Sequence, residues 1–202
     1  MPDTKKATIN WNYSGKFNFI GTGATKEENY LAYAGSFIIP AFLLYLYFSD
    51  TVQWNLIILI IALAIGFDLS GGIVANAMNC CKRFYHTPMQ EGDPKYASIL
   101  KNKMAFSALH IHPIIIWAVY DNLNFITGIV WYAFLIVSAY VVYRVPLYLE
   151  RGVSMLLVLV FLMVNIYILP APAGFEWFIP VLFLKIVYGH MVKEEPYRPV
   201  NT

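Results

Sequence analysis

Residues 52–81 read VQWNLIILIIALAIGFDLSGGIVANAMNCC. Positions 52–67 carry no charge, Asp68 interrupts, and an uncharged stretch resumes over 69–81. A bilayer core about 30 Å thick takes about 20 apolar helical residues to cross. The stretch therefore reads as one long membrane helix with an acid inside it. An ionisable group near the centre of such a helix costs about 2.5–3.5 kcal/mol on insertion scales. Asp68 is thus either paired or functional.

The same test applied outward finds five more spans. They are 30–48, 104–120 with Pro113 inside it, 122–143, 152–169, and 177–192 with Lys185 inside it. Pro170-Ala171-Pro172-Ala173-Gly174 stops the fifth. The whole composition agrees. Of 202 residues, 59% are hydrophobic and 13% charged, against roughly 45–50% and about 25% in soluble domains. That excludes an ordinary soluble enzyme, a disordered chain and a disulfide-stapled mini-protein. The expected fold is all-α: a polytopic six-transmembrane-helix bundle, multi-pass in the cell membrane, surrounded by membrane lipids. A polar segment, 1–29, would precede the 30–192 membrane domain, and a tail, 193–202, would follow it.

Basic residues set the direction. On the six-span reading, 13 of the 14 Lys and Arg residues fall on the side of the termini and of the 82–103 and 144–151 loops. The opposite turns carry Asp50, Asp121 and Glu176 and no basic residue; the fourteenth, Lys185, is intramembrane. Both termini are then expected in the cytoplasm. Trp54, Trp117, Tyr120 and Phe178 read as part of an outer aromatic belt. The net charge of +2, without a basic block, speaks against a nucleic-acid partner. The adjacent Cys80 and Cys81 read as reduced thiols.

Helical rise locates the polar groups in depth. At 1.5 Å per residue, Asp68 lies about 24 Å from the outer end of its helix and His110 about 10 Å inward from Lys103. His112 is about 3 Å deeper, and Lys185 about 12 Å from Lys193. Four ionisable groups on three spans thus share a depth toward the cytoplasmic leaflet, and one pocket is expected to hold Asp68 and His110. Around the second helix, Asp68, Gly72, Asn76, Asn79, Arg83 and His86 form a polar stripe. A bend at Gly71-Gly72 would let His86 fold back toward Asp68. In His110-Ile111-His112-Pro113 the imidazoles would point about 200° apart on a regular helix. Pro113 disfavours the α conformation at His112, and an irregular turn at membrane depth implies a cavity.

These residues support several chemistries. Asp68, His110 and His112 are candidate acid–base catalysts. Asn76, Asn79, Arg83, Lys185 and Tyr188 are candidate substrate contacts, with Arg83 and Lys82 suited to an anionic headgroup and Lys185 also to pairing with Asp68. His86, His110, His112 and Asp68 together could bind a divalent Zn, Fe or Mn ion, although the spacing matches no zinc motif. The competing reading is that the histidines only hydrogen-bond within the helix bundle. A b-type haem would need His86 or His190 to face His110. The leading expectation is an integral membrane enzyme acting on a lipophilic small molecule: a lipid, isoprenoid or quinone-like compound. A small proton-coupled transporter or ion channel, and a non-catalytic accessory subunit, are the alternatives.

Overall fold

Proline and serine chemistry shapes the first helices. In a computed structural model, residues 20–91, 93–121 and 124–193 are described. The expected N-terminal segment up to residue 19 and the tail from 194 lie outside the described residues. Thr25 opens α1 (Lys26–Ser36) through a capping box, its hydroxyl accepting from the Glu28 backbone and the Glu28 carboxylate accepting from Thr25 N–H. The chain kinks at Phe37 and continues as α2 (Ile38–Phe48). Pro40 causes this, because it has no N–H for the Ser36 carbonyl four residues back. The Ser70 hydroxyl on the next helix lies 3.0 Å from that carbonyl and shares its one proton between it and the Gly66 carbonyl at 2.7 Å.

Asn55 caps α3 (Leu56–Ala77), its side chain accepting from Ile58 N–H at 3.0 Å. The expected single helix over 52–81 is not found. Met78 is extended (φ −86°, ψ 149°), and α4 (Asn79–His86) starts anew. The Thr22 amide donates to the Cys80 carbonyl at 3.1 Å across this break. The third expected span is also broken. After the one-turn α5 (Ala97–Leu100), α6 (Lys103–Ala108) and α7 (His112–Tyr120) flank a tight turn at 109–111. Pro113 sits in the first turn of α7, where its missing N–H costs nothing. The remaining helices are α8 (Phe125–Arg144), α9 (Glu150–Tyr167) and α10 (Phe178–Phe183). A π-helical segment, Leu184–His190, follows α10 directly.

The described residues are helical, without strands, and four helices are long and apolar enough to cross a membrane: Lys26–Phe48, Leu56–Ala77, Phe125–Arg144 and Leu147–Tyr167. The apolar helix Phe178–His190 is shorter and takes the centre of the molecule. Phe178, Ile179, Leu182, Phe183, Ile186 and Val187 are all fully buried, and the helix is enclosed by α3, α8 and α9, with Lys185 and His190 as its buried polar residues. Outward-facing apolar side chains such as Ile57, Ile60, Ile126, Leu156, Leu159 and Ile166 are exposed, as lipid-facing residues must be. Trp117 and Phe178, expected in the outer aromatic belt, are instead core residues. Between α7 and α8 the backbones touch at Gly128, where a Cβ would come within 2.7 Å of the Pro113 carbonyl oxygen.

Candidate functional site: an ion pair and two histidines at an apolar cavity

Asp68 lies on α3 and Lys185 at the start of the π-helical segment. The Lys185 ammonium stands 2.6 Å from Asp68 Oδ2 and 3.4 Å from the Asp68 carbonyl oxygen. Gly72, one turn beyond Asp68, gives the lysine its channel: a Cβ there would sit 2.3 Å from Lys185 Cε. The π winding offsets the local carbonyls from the usual ladder. One of them, that of Lys185 itself, accepts from Asn76 Nδ2 at 3.0 Å, which ties α3 to the central helix beside the ion pair. The lysine side chain is only 4% exposed and that of the aspartate 50%, so the carboxylate forms the accessible end of the pair.

The turn at 109–111 brings in the histidines. Their ring centroids are 5.4 Å apart, a proximity that a continuous helix would forbid. His112 Nε2 lies 3.6 Å from Asp68 Oδ2, an ion-pair separation once the ring is protonated, while its Nδ1 is buried without a partner. His110 Nδ1 lies 2.9 Å from the Phe106 carbonyl oxygen. A carbonyl only accepts, so Nδ1 carries the ring proton and the neutral ring keeps its lone pair on Nε2. Asp68, Asn76, His110, His112 and Lys185 all line one cavity of about 590 Å3. Its other walls are mainly apolar and aromatic, among them Phe67, Phe84, Tyr85, Leu100 and Phe106.

The other candidates lie elsewhere. Asn79 and Arg83 lie outside the cavity because, after the break at Met78, α4 presents Cys81, Phe84 and Tyr85 to it instead, so the polar stripe does not continue past Asn76. Tyr188 packs against the apolar core. His86 does not fold back toward Asp68. It lies with its ring centroid 6.1 Å from that of His190, which in turn stacks 4.0 Å from Phe106. The expected metal set of His86, His110, His112 and Asp68 therefore does not converge. Among the described residues no three His, Cys, Asp or Glu side chains are placed to hold an ion. Lys82, expected to attract a headgroup, is buried and donates to the carbonyls of Gly189 and Val192, the latter at 2.6 Å.

Lys82 belongs to a second polar cluster, round the end of the central helix. Lys103 donates to the Met191 carbonyl at 2.7 Å, and Glu150 accepts from the Lys193 backbone N–H. A helix end leaves about four carbonyls without partners, and these lysines serve them. Burial pushes the Lys82 ammonium down to about 8. Neither Glu150 nor the π winding was expected. The available signal was a helix ending near His190 whose last carbonyls needed donors. No family model matches the chain, and no curated protein or solved structure matches it.

Proposed function

We propose that the chain is a six-crossing protein of the cell membrane with both termini in the cytoplasm, and that its cavity performs proton-transfer chemistry on a lipophilic molecule. In this reading α6 and α7 together make one crossing and Phe178–His190 another. The meeting of Lys82, Lys103 and the Lys193 backbone round one end of the central helix supports a cytoplasmic position for that end.

The observation that carries the chemistry is the Asp68–Lys185 pair beside His110 in an otherwise apolar cavity. The hydrocarbon part of the substrate would lie against Phe67, Leu100 and Phe106. His110 Nε2 would take a proton from its polar group. The Lys185 ammonium, held by Asp68, would stabilise the negative charge that develops, and the low dielectric would strengthen that effect. Toward the opposite face Trp117, Trp131, Phe178 and Phe183 are fully buried and close-packed. This barrier favours an enzyme over a transporter, which needs a path to both sides.

The test is purification in mild detergent followed by mass spectrometry of the extracted lipophilic molecules. The wild type should retain a defined species, or its product. His110→Gln, of similar size but without a basic nitrogen, should retain the same species unconverted. Enrichment of nothing beyond the bulk lipids in either protein would defeat the reading.

A further inference from the structure

A second cavity, of about 670 Å3, opens where α4 ends, α6 begins and α8 ends, and Tyr85 forms a wall common to both cavities. Its polar lining is His86, Thr87, Lys101, Lys103, Tyr143 and Lys193. The lysines have donors to spare, since each ammonium carries three N–H groups. Lys101 uses two, on Asp93 at 2.6 Å and on the Pro88 carbonyl at 2.9 Å. Lys103 uses one on Met191, and Glu150 at 3.9 Å is beyond hydrogen-bond reach. Among the described residues the Lys193 ammonium has no partner.

His86 adds an independent sign. Both of its ring nitrogens are buried and neither has a partner in hydrogen-bond geometry. The Val192 carbonyl near the ring accepts from Lys82 and has a second lone pair that faces the His86 N–H. Burial first, and then Lys103, Lys82 and Lys193, hold this imidazole well below its ordinary pKa. The ring is therefore neutral. Among the described residues, three lysines line the cavity, Asp93 and Glu150 are their two acidic neighbours, and Lys82 stands behind, so the charge left over among them is positive.

We propose that this cavity binds a phosphate-bearing anion, either the headgroup of an anionic phospholipid or a free phosphate. Lys193 and Lys103 would donate to its oxygens, His86 would form part of the wall, and Lys101, paired with Asp93, would add to the local charge. The site is separate from the Asp68 cavity and does not depend on the chemistry proposed there.

The experiment uses the full chain in nanodiscs of phosphatidylcholine, with phosphatidylglycerol added in one arm and inorganic phosphate in the other. Thermal unfolding and native mass spectrometry read binding. Wild type should be stabilised in at least one arm. A response to phosphatidylglycerol alone identifies a headgroup site, and a response to phosphate identifies a free-anion site. Lys193→Gln should weaken that response about tenfold, the loss expected for one charge-assisted hydrogen bond. His86→Gln should weaken it less, and Lys193→Arg should preserve it. Lys95→Gln, on the same side of the chain but outside the cavity, should respond as wild type does. Variants are compared only where their midpoints in phosphatidylcholine match wild type, and Lys193→Arg guards against a folding defect at that position. No response in either arm, or an equal loss in Lys95→Gln and Lys193→Gln, would overturn the site.

Discussion

A lysine that is 4% exposed beside an aspartate that is half exposed makes an unequal pair. Removing the acid leaves a charge with no water to turn to. Asp68→Asn should therefore lower unfolding stability in detergent by about 3 kcal/mol, the low end of the range for breaking a buried pair because the acid is partly solvated. Adding Lys185→Met should restore most of the loss. Thermal melts of wild type and both variants check this, and an unchanged melt for Asp68→Asn would mean that Lys185 has another partner. Lys82 supplies a pH test. Its ammonium titrates near 8 in the fold and near 10.4 in an unfolded chain. Between these values the unfolded state binds more protons, so stability should rise with pH from about 8 to about 10. Lys82→Met should flatten that rise; an identical pH slope in both proteins would show that other groups produce it. Lys185, Asp68 and His110 were all legible in the sequence as charges or imidazoles at matching depth. A pocket shared by Asp68 and His110 and an Asp68–Lys185 pair were among the expectations; which of the competing partners Asp68 takes was not legible, because depth along a helix says nothing of which face meets which.

At the scale of elements, two glycines in long apolar helices carry opposite expectations. A Cβ on Gly128 would meet the backbone of Pro113 and Ile114 at 2.7–2.8 Å, and backbone cannot step aside as a flexible side chain can. Gly128→Ala should destabilise by about 1–3 kcal/mol, the usual cost of overpacking. Gly152, near the start of α9, has nothing within 4 Å of its would-be Cβ. Gly152→Ala should stabilise by up to about 1 kcal/mol through helix propensity alone. The two variants measured together separate helix contact from propensity, and a shift of the same sign in both would contradict the close approach of α7 and α8. Pro113 was readable as a helix disturbance, whereas the 30–48 span, with Pro40 inside it, read as continuous. The break at Met78 was not, since no proline or glycine occupies that position and the extended backbone goes with a bond from Thr22, more than fifty residues earlier.

For the whole molecule the prediction is topological. Reporter fusions at Asp50, Asp121 and Gly174 should appear outside the cell, and a fusion at Glu150 inside. The expectation rests on the clustering of Lys82, Lys103 and Lys193 at one end of the bundle and on the aromatic cluster of Trp54, Tyr120 and Phe175, near the acidic turns. An inside reading at two of the three outer sites would sink the six-crossing arrangement. Four of the six expected spans correspond to helical stretches of crossing length, two of them made of consecutive helices. One of the others is divided to form the histidine turn, and the last is a short helix that the rest of the bundle encloses.

The sequence by itself determined the helical, membrane-type character of the chain and its four long apolar helices, and it set the expectation that Asp68, His110, His112 and Lys185 share a depth. These follow from hydropathy, from charge spacing and from a rise per residue that hardly varies. Tertiary structure decided which polar groups share a site. It placed Lys185 against Asp68, set α4 so that Cys81, Phe84 and Tyr85 line the cavity and Asn79, Arg83 and His86 do not, and wound the central helix as a π-segment whose carbonyls Asn76 and Lys82 could reach. The physical reason is that a buried charge or carbonyl takes whichever partner packing brings within about 3 Å. In a helix bundle that partner comes from another helix, here more than a hundred positions along the chain in the case of Lys185 and Asp68.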